Sequence, residues 1–133
     1  MPVSYRYDPK ANAVITSTTG ILKINEIVAY FERVYRDPEV APEFVEVVLF
    51  DEALDFAFRY TETALVFDAY SRFMLAKRCV RTVFVAKTPL GFGIARMFST
   101  SFGEHGDLRV VRTEDELNKE LSDIRGDTVS IKA

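Results

Sequence analysis

Acid collects at one point of this chain: Asp51, Glu52 and Asp55 stand close together, Arg59 follows, and Lys87 ends a later apolar run. Carboxylates so spaced serve as general acids, as magnesium ligands or as a charged rim around a hydroxyl. Hydroxyls are at hand, since Thr61 and Thr63 come next and Thr88 directly follows Lys87. No phosphate-binding glycine motif accompanies the three acids, so a magnesium role lacks its usual companion. A solvated acidic loop is the plain reading, and a rim that binds a partner or ligand is the functional one. Phe56, Phe58 and Tyr60 alternate through the same segment. Such an aromatic stretch is long for a connection between a strand and a helix. It reads either as core packing or as an apolar groove or dimer surface. The candidate site is therefore Asp51, Glu52, Asp55, Phe56, Phe58, Tyr60, Thr61, Thr63 and Thr88.

Other chemistry is thinner. Gly91-Phe92-Gly93 begins like a dinucleotide fingerprint, but Arg96 stands where the third glycine belongs and the glycines fall inside a helix. Small residues there let a helix start approach its neighbour, and its free N–H groups suit an anion. Cys79 follows Lys77 and Arg78 near the end of an expected helix, with no histidine beside it to act as base. The single His105 lies in a loop expected at the far end of the sheet from the acidic segment. No acid–base set, metal set or cofactor motif converges, so neither a catalytic residue nor a cofactor is expected.

These residues need elements to hold them. Thr82 to Ala86 (TVFVA) is a short apolar run that suits a parallel strand buried on both faces. Thr88 then caps a helix with Pro89 at its first position, and Leu90, Ile94 and Phe98, widened by Ala95 and Phe102, recur at helical spacing. Upstream, Val3 to Tyr7 and Ala13 to Thr18 flank the turn residues Asp8 to Asn12, which predicts an opening hairpin. Ile24, Ile27, Val28, Phe31, Val34 and Tyr35 mark a first helix that stops before Pro38. Val45 to Phe50 (VEVVLF) is the next strand, with a long loop or a short strand at Asp55 to Arg59 after it. A second helix runs from Thr61 or Thr63 to about Arg78, with Leu65, Ala69, Phe73 and Ala76 inward. Leu108 to Val111 is the last strand, and Thr113 with Glu116 forms a capping box that opens a helix through Leu117, Leu121 and Ile124 to a stop at Gly126. Residues 126–133 carry a weak alternation that suits a frayed tail or an edge strand. The expectation is one α/β domain over residues 1–133, with a mostly parallel sheet, an N-terminal β-hairpin and the order ββαβαβαβα.

The strand–helix unit from Arg81 to Phe102, followed by Val110 to Leu121 (VVRTEDELNKEL), resembles the STAS or SpoIIAA-like domains, the bacterial anti-sigma factor antagonists. The likeness is closer still to a little-characterised SpoIIAA-like branch that shares a fold with lipid-binding Sec14 domains. The resemblance implies a regulatory, non-enzymatic module. Regulatory members carry an Asp-Ser-Ser-Gly turn whose Ser is phosphorylated. Here Asp51 matches the Asp, Glu52 to Tyr60 replaces the turn, and Thr61 and Thr63 stand near the Ser position outside any motif. The fold kinship implies, as an alternative, a small carrier of an apolar or lipid-like ligand.

Composition narrows the partners. At net charge −3 with scattered Lys and Arg, nucleic acid is a poor fit. One cysteine admits no internal disulfide, no apolar run reaches the ~20 residues that span a bilayer, and residues 1–5 begin a strand pattern rather than a leader, so a cytoplasmic location is expected. VVLF and VFVA need cover on both faces, which favours a homodimer alongside a protein partner.

Overall fold

The computed structural model describes residues 3–73, 76–103, 106–124, 129 and 131. The predicted hairpin forms from β1 (Val3–Asp8) and β2 (Ala13–Thr18). Asp8 shapes its turn by accepting from the Lys10 and Ala11 amides at 3.0 and 3.2 Å, and Asn12 adopts φ 50, a left-handed conformation that Asn tolerates. After β3 (Ile21–Leu22) and α1 (Ile24–Arg36) come β4 (Glu43–Phe50), β5 (Asp55–Phe56) and α2 (Thr63–Phe73). The chain continues through β6 (Arg78–Ala86), α3 (Pro89–Phe102), β7 (Leu108–Val111) and α4 (Glu114–Leu121).

The main sheet has five strands in the order β1-β2-β4-β6-β7, with β1 antiparallel to β2 and the other pairs parallel. The chain steps across β2, β4, β6 and β7 in one direction. Right-handed crossovers therefore place α1, α2 and α3 on the same face. Helix α4 follows the last strand, owes no crossover and takes the other face. Alternation along β4 serves both sides: Phe44, Val48 and Phe50 point toward the three helices, and Val45 and Val47 toward α4.

On the α4 face, Ala13, Ile15, Val47 and Val83 pack with Leu117, Leu121 and Val129. Val129 is fully buried, and Asn118 holds it like a strand neighbour: Nδ2 donates to the Val129 carbonyl at 3.3 Å, and Oδ1 accepts from its amide at 2.8 Å. Gly126 and the rest of the tail, Ile131 apart, lie outside the described residues. A single chain covers the centre of the second face with α4 and Val129, so the apolar strands do not by themselves call for a second copy.

Four expectations need correction. Helix α2 is shorter than predicted, and Cys79 lies in β6 rather than near a helix end, because β6 starts at Arg78 and pairs with Glu43 and Phe44 of β4. Leu65 is 57% exposed, since α2 turns Thr63, Val66 and Ala69 inward and rests Tyr70 and Phe73 on Tyr35 of α1. Leu90 is 56% exposed, since α3 is rotated by one residue from the predicted stripe and seats Gly91, Ala95 and Phe98. Gly91 explains the rotation: a Cβ there would lie 3.5 Å from both Ala86 Cβ and the Phe50 ring, so the helix start sits directly on the strand ends. Gly93 has open space around it and plays no such part.

Candidate functional site

The acidic segment folds back on the sheet's C-terminal edge instead of standing out as a loop. Gly20, at φ +70, turns the chain into β3, which pairs in parallel with β5 so that Ile21 faces Asp55 and Leu22 faces Phe56. The Asp55 amide donates to the Gly20 carbonyl and the Ala57 amide to the Leu22 carbonyl, both at 2.9 Å. Asp51, Glu52, Asp55 and Thr61 are exposed, and Asp51 accepts from the Ala53 amide at 3.2 Å to hold its own turn. Phe56 and Phe58 are half-buried, with ring centroids 5.6 Å from Phe50 and 5.8 Å from Phe98 respectively. They roof the core with one edge left to solvent. Tyr60 opens a 3-10 turn ending at Glu62, Thr63 is buried in the first turn of α2, and Thr88 caps α3 by accepting from the Gly91 amide at 3.1 Å. These residues therefore share one edge but divide between a solvated rim and structural supports. His105 lies outside the described residues.

A different set converges beneath that roof. Between the sheet and α1, α2 and α3 lies a cavity of about 110 Å³. Its helix side is built from Ile27 and Phe31 of α1, Val66 and Tyr70 of α2, and Phe98 and Phe102 of α3. Its sheet side combines apolar Val48, Phe50 and Phe84 with a polar patch of Thr16, Glu46 and Thr82.

Register makes the patch. Glu46 sits opposite Val14 on one side and Thr82 on the other, in the middle of the sheet. The β4–β6 register slips between Phe44 and Val45, where Val80 is the extra residue of a bulge. Cys79 and Thr82, three apart, would otherwise point to opposite faces. The bulge turns both to the cavity, with Cys79 Sγ 3.4 Å from Thr82 Oγ1. Thr82 donates to Glu46 Oε1 at 2.8 Å, and the Tyr30 hydroxyl donates to Oε2. Tyr30 has spent its proton, so Thr16 donates to Tyr30 Oη across 2.6 Å. Each Glu46 oxygen thus accepts from a neutral hydroxyl.

Electrostatics follow from burial. Desolvation pushes the Glu46 carboxyl above its ordinary range, against the opposing hydrogen bonds from Tyr30 and Thr82. Burial, then the nearby Glu46, push the Tyr30 phenol well up, and the same two causes in the same order raise the Cys79 thiol. Cys79 is therefore a thiol and not a ready nucleophile. Among the described residues no lysine or arginine pairs with Glu46. The arginines of this region serve elsewhere: Arg81 Nε donates to Asp107 at 2.8 Å, its Nη1 to Asp123 at 2.7 Å, and Arg109 bonds Asp107 at 3.0 Å and Glu120 at 2.6 Å. That network fastens α4 and the start of β7 to β6. Among the described residues no group of three His, Cys, Asp or Glu is placed to hold a metal ion, and no helix is long and apolar enough to cross a membrane.

Reading by motif and spacing passed over Glu46 and Tyr30. The signal for Glu46 was present: a carboxylate in register with Val48 and Phe50 inside VEVVLF is either an error of packing or a buried site. Tyr30 carries no such mark, since its role depends on α1 docking over β4.

Fold and site together define an α/β domain with a polar-floored apolar cavity. The chain matches no family model, and no curated protein or solved structure is significantly similar to it.

Proposed function

We propose that this domain is a non-enzymatic carrier or sensor that holds a compact, largely apolar molecule between its sheet and α1–α3. The observation that carries the reading is the cavity of about 110 Å³, walled by aliphatic and aromatic side chains and given one polar wall by Thr16, Glu46 and Thr82. Few convergent polar groups in an otherwise apolar hollow are the usual composition of a small-molecule site. An empty hollow of this size costs stability, and a ligand recovers the lost contacts. Native mass spectrometry on freshly purified protein tests it. A discrete extra mass, lost on denaturation, is expected. Val66→Phe fills the hollow from α2 and is expected to abolish that mass at a stability cost under about 2 kcal/mol. An unaltered bound mass in that variant would place the ligand elsewhere and end the reading.

A second reading, a protein-interaction module, draws on exposed Ile21, Leu65 and Leu90, which are 56%, 57% and 56% accessible. All three lie where elements meet the C-terminal edge of the sheet: Ile21 just past β2, Leu65 and Leu90 in the first turns of α2 and α3. They extend the rim formed by Asp51, Glu52 and Asp55. On this reading Leu65→Asp with Leu90→Asp weakens self-association at least tenfold in sedimentation velocity. The stability change stays within about 0.5 kcal/mol per site, as for most surface substitutions. Wild-type protein that is monomeric at every concentration removes the self-association form of this reading.

A further inference from the structure

Among the described residues, none supplies a counter-charge to the acid on the cavity wall. Glu46 accepts one hydrogen bond on each oxygen, from Tyr30 and from Thr82, and both donors are neutral. The titratable groups that face it are Tyr30 and Tyr35 from α1, Tyr70 from α2, Cys79 from β6 and Asp107 ahead of β7. None of these supplies positive charge at neutral pH, and Asp107 is committed to Arg81 and Arg109. The α3 residues on the cavity, Phe98 and Phe102, are apolar. Around the acid the walls are rich in rings, Tyr30, Phe31, Tyr70, Phe84 and Phe98 among them. Ring faces attract cations, and most strongly where water is excluded. A buried carboxylate with aromatic walls, and with no cation among the described residues that line them, is the complement of an organic ammonium group.

We infer that the molecule held here is a small apolar amine, with its ammonium against Glu46 and its hydrocarbon body among the rings of α1, α2 and α3. The inference rests on the carrier reading and deepens it. A cavity of about 110 Å³ limits that body to roughly one ring or a short chain, since a dry engineered hollow of ~150 Å³ takes benzene. The ammonium donates to the Glu46 oxygens, and wherever burial leaves a proton on that carboxyl, binding displaces it to solvent.

The test is calorimetric titration of the purified protein with benzylamine, benzyl alcohol and toluene, at several pH values and in buffers of different ionisation enthalpy. Benzylamine is expected to bind at least tenfold more tightly than benzyl alcohol and to gain affinity as pH rises through the titration of Glu46. Benzyl alcohol and toluene are expected to show no such trend. Glu46→Gln is expected to lower benzylamine affinity at least tenfold and to leave toluene unaffected. Binding of the two neutral probes with no binding of benzylamine overturns the amine and leaves the carrier standing. So does benzylamine binding no tighter than benzyl alcohol to the wild type, which decides the matter even where the variant fails to fold. If none of the three probes binds and the protein carries no mass of its own, the carrier reading fails as well.

Discussion

Glu46 couples the stability of this protein to pH with the opposite sign from most acidic residues. Its carboxyl is raised in the folded chain by burial, so the folded state keeps its proton to higher pH than the unfolded state, which gives it up near the ordinary value of 4.5. Stability from this group is therefore full below that value and declines as pH rises from it toward the folded-state pKa. Asp37 and Asp123 act in reverse. Hydrogen bonds from Tyr5 and from Arg81, respectively, hold them below the ordinary value of 3.8, so their contribution is present above it and is lost on acidification. Urea unfolding across pH 2.5 to 8 separates the two: Glu46→Gln is expected to gain relative to wild type as pH increases and to leave the acid limb unchanged. A constant difference between the two proteins across that range would show that Glu46 titrates as a solvated acid does.

At the scale of elements, α4 is fastened by charge as well as by its apolar stripe. Arg81, whose side chain is 7% exposed, reaches from β6 to Asp107 and to both oxygens of Asp123 and donates also to the Glu120 carbonyl. Removing one member of a fully buried pair costs ~3–5 kcal/mol. Here the carboxylates keep contact with water, Asp123 at 63% and Asp107 at 39% side-chain exposure, which lowers the penalty. Arg81→Met is expected to cost about 2 kcal/mol and to raise amide exchange in α4 before any change in α1, as hydrogen exchange read by mass spectrometry would show. The roof behaves differently. Because Phe56 and Phe58 rest on Phe50 and Phe98, replacing both with Ser loosens the cavity's cover rather than merely trimming a surface.

For the whole molecule the decisive feature is that both faces of one sheet are closed by a single chain. Three helices cover one face, and α4 with Val129 covers the other. Val129 has no exposed surface and packs with Ala13, Ile15 and Val47. Val129→Asp places an unpaired charge against that layer, and a cost of about 3 kcal/mol or more is expected. The freed strand face should also promote association, seen as concentration-dependent elution in size-exclusion chromatography. A variant of unaltered stability and elution would mean that the tail does not hold the second face.

How much of this was legible beforehand follows from the range of each interaction. Hairpin, strand and helix order, the Thr88 and Thr113 caps and the mostly parallel sheet could be read from the chain, because period-two and 3.6-residue patterns, turn residues and caps act between near neighbours. The rotation of α3 onto Gly91, the exposure of Leu65 and the placement of Cys79 on a strand could not, because each depends on which distant element docks against it. The same holds for function. Sequence pointed to residues 51–63 as a site, and the fold sets that segment along the C-terminal edge of the sheet. The cavity beneath it joins Thr16, Tyr30, Glu46 and Thr82, drawn from three strands and a helix and brought together by parallel register and one bulge. A local pattern can specify an element, but a hollow with a buried acid on its sheet wall is a property of how elements pack, and only the tertiary structure decided it.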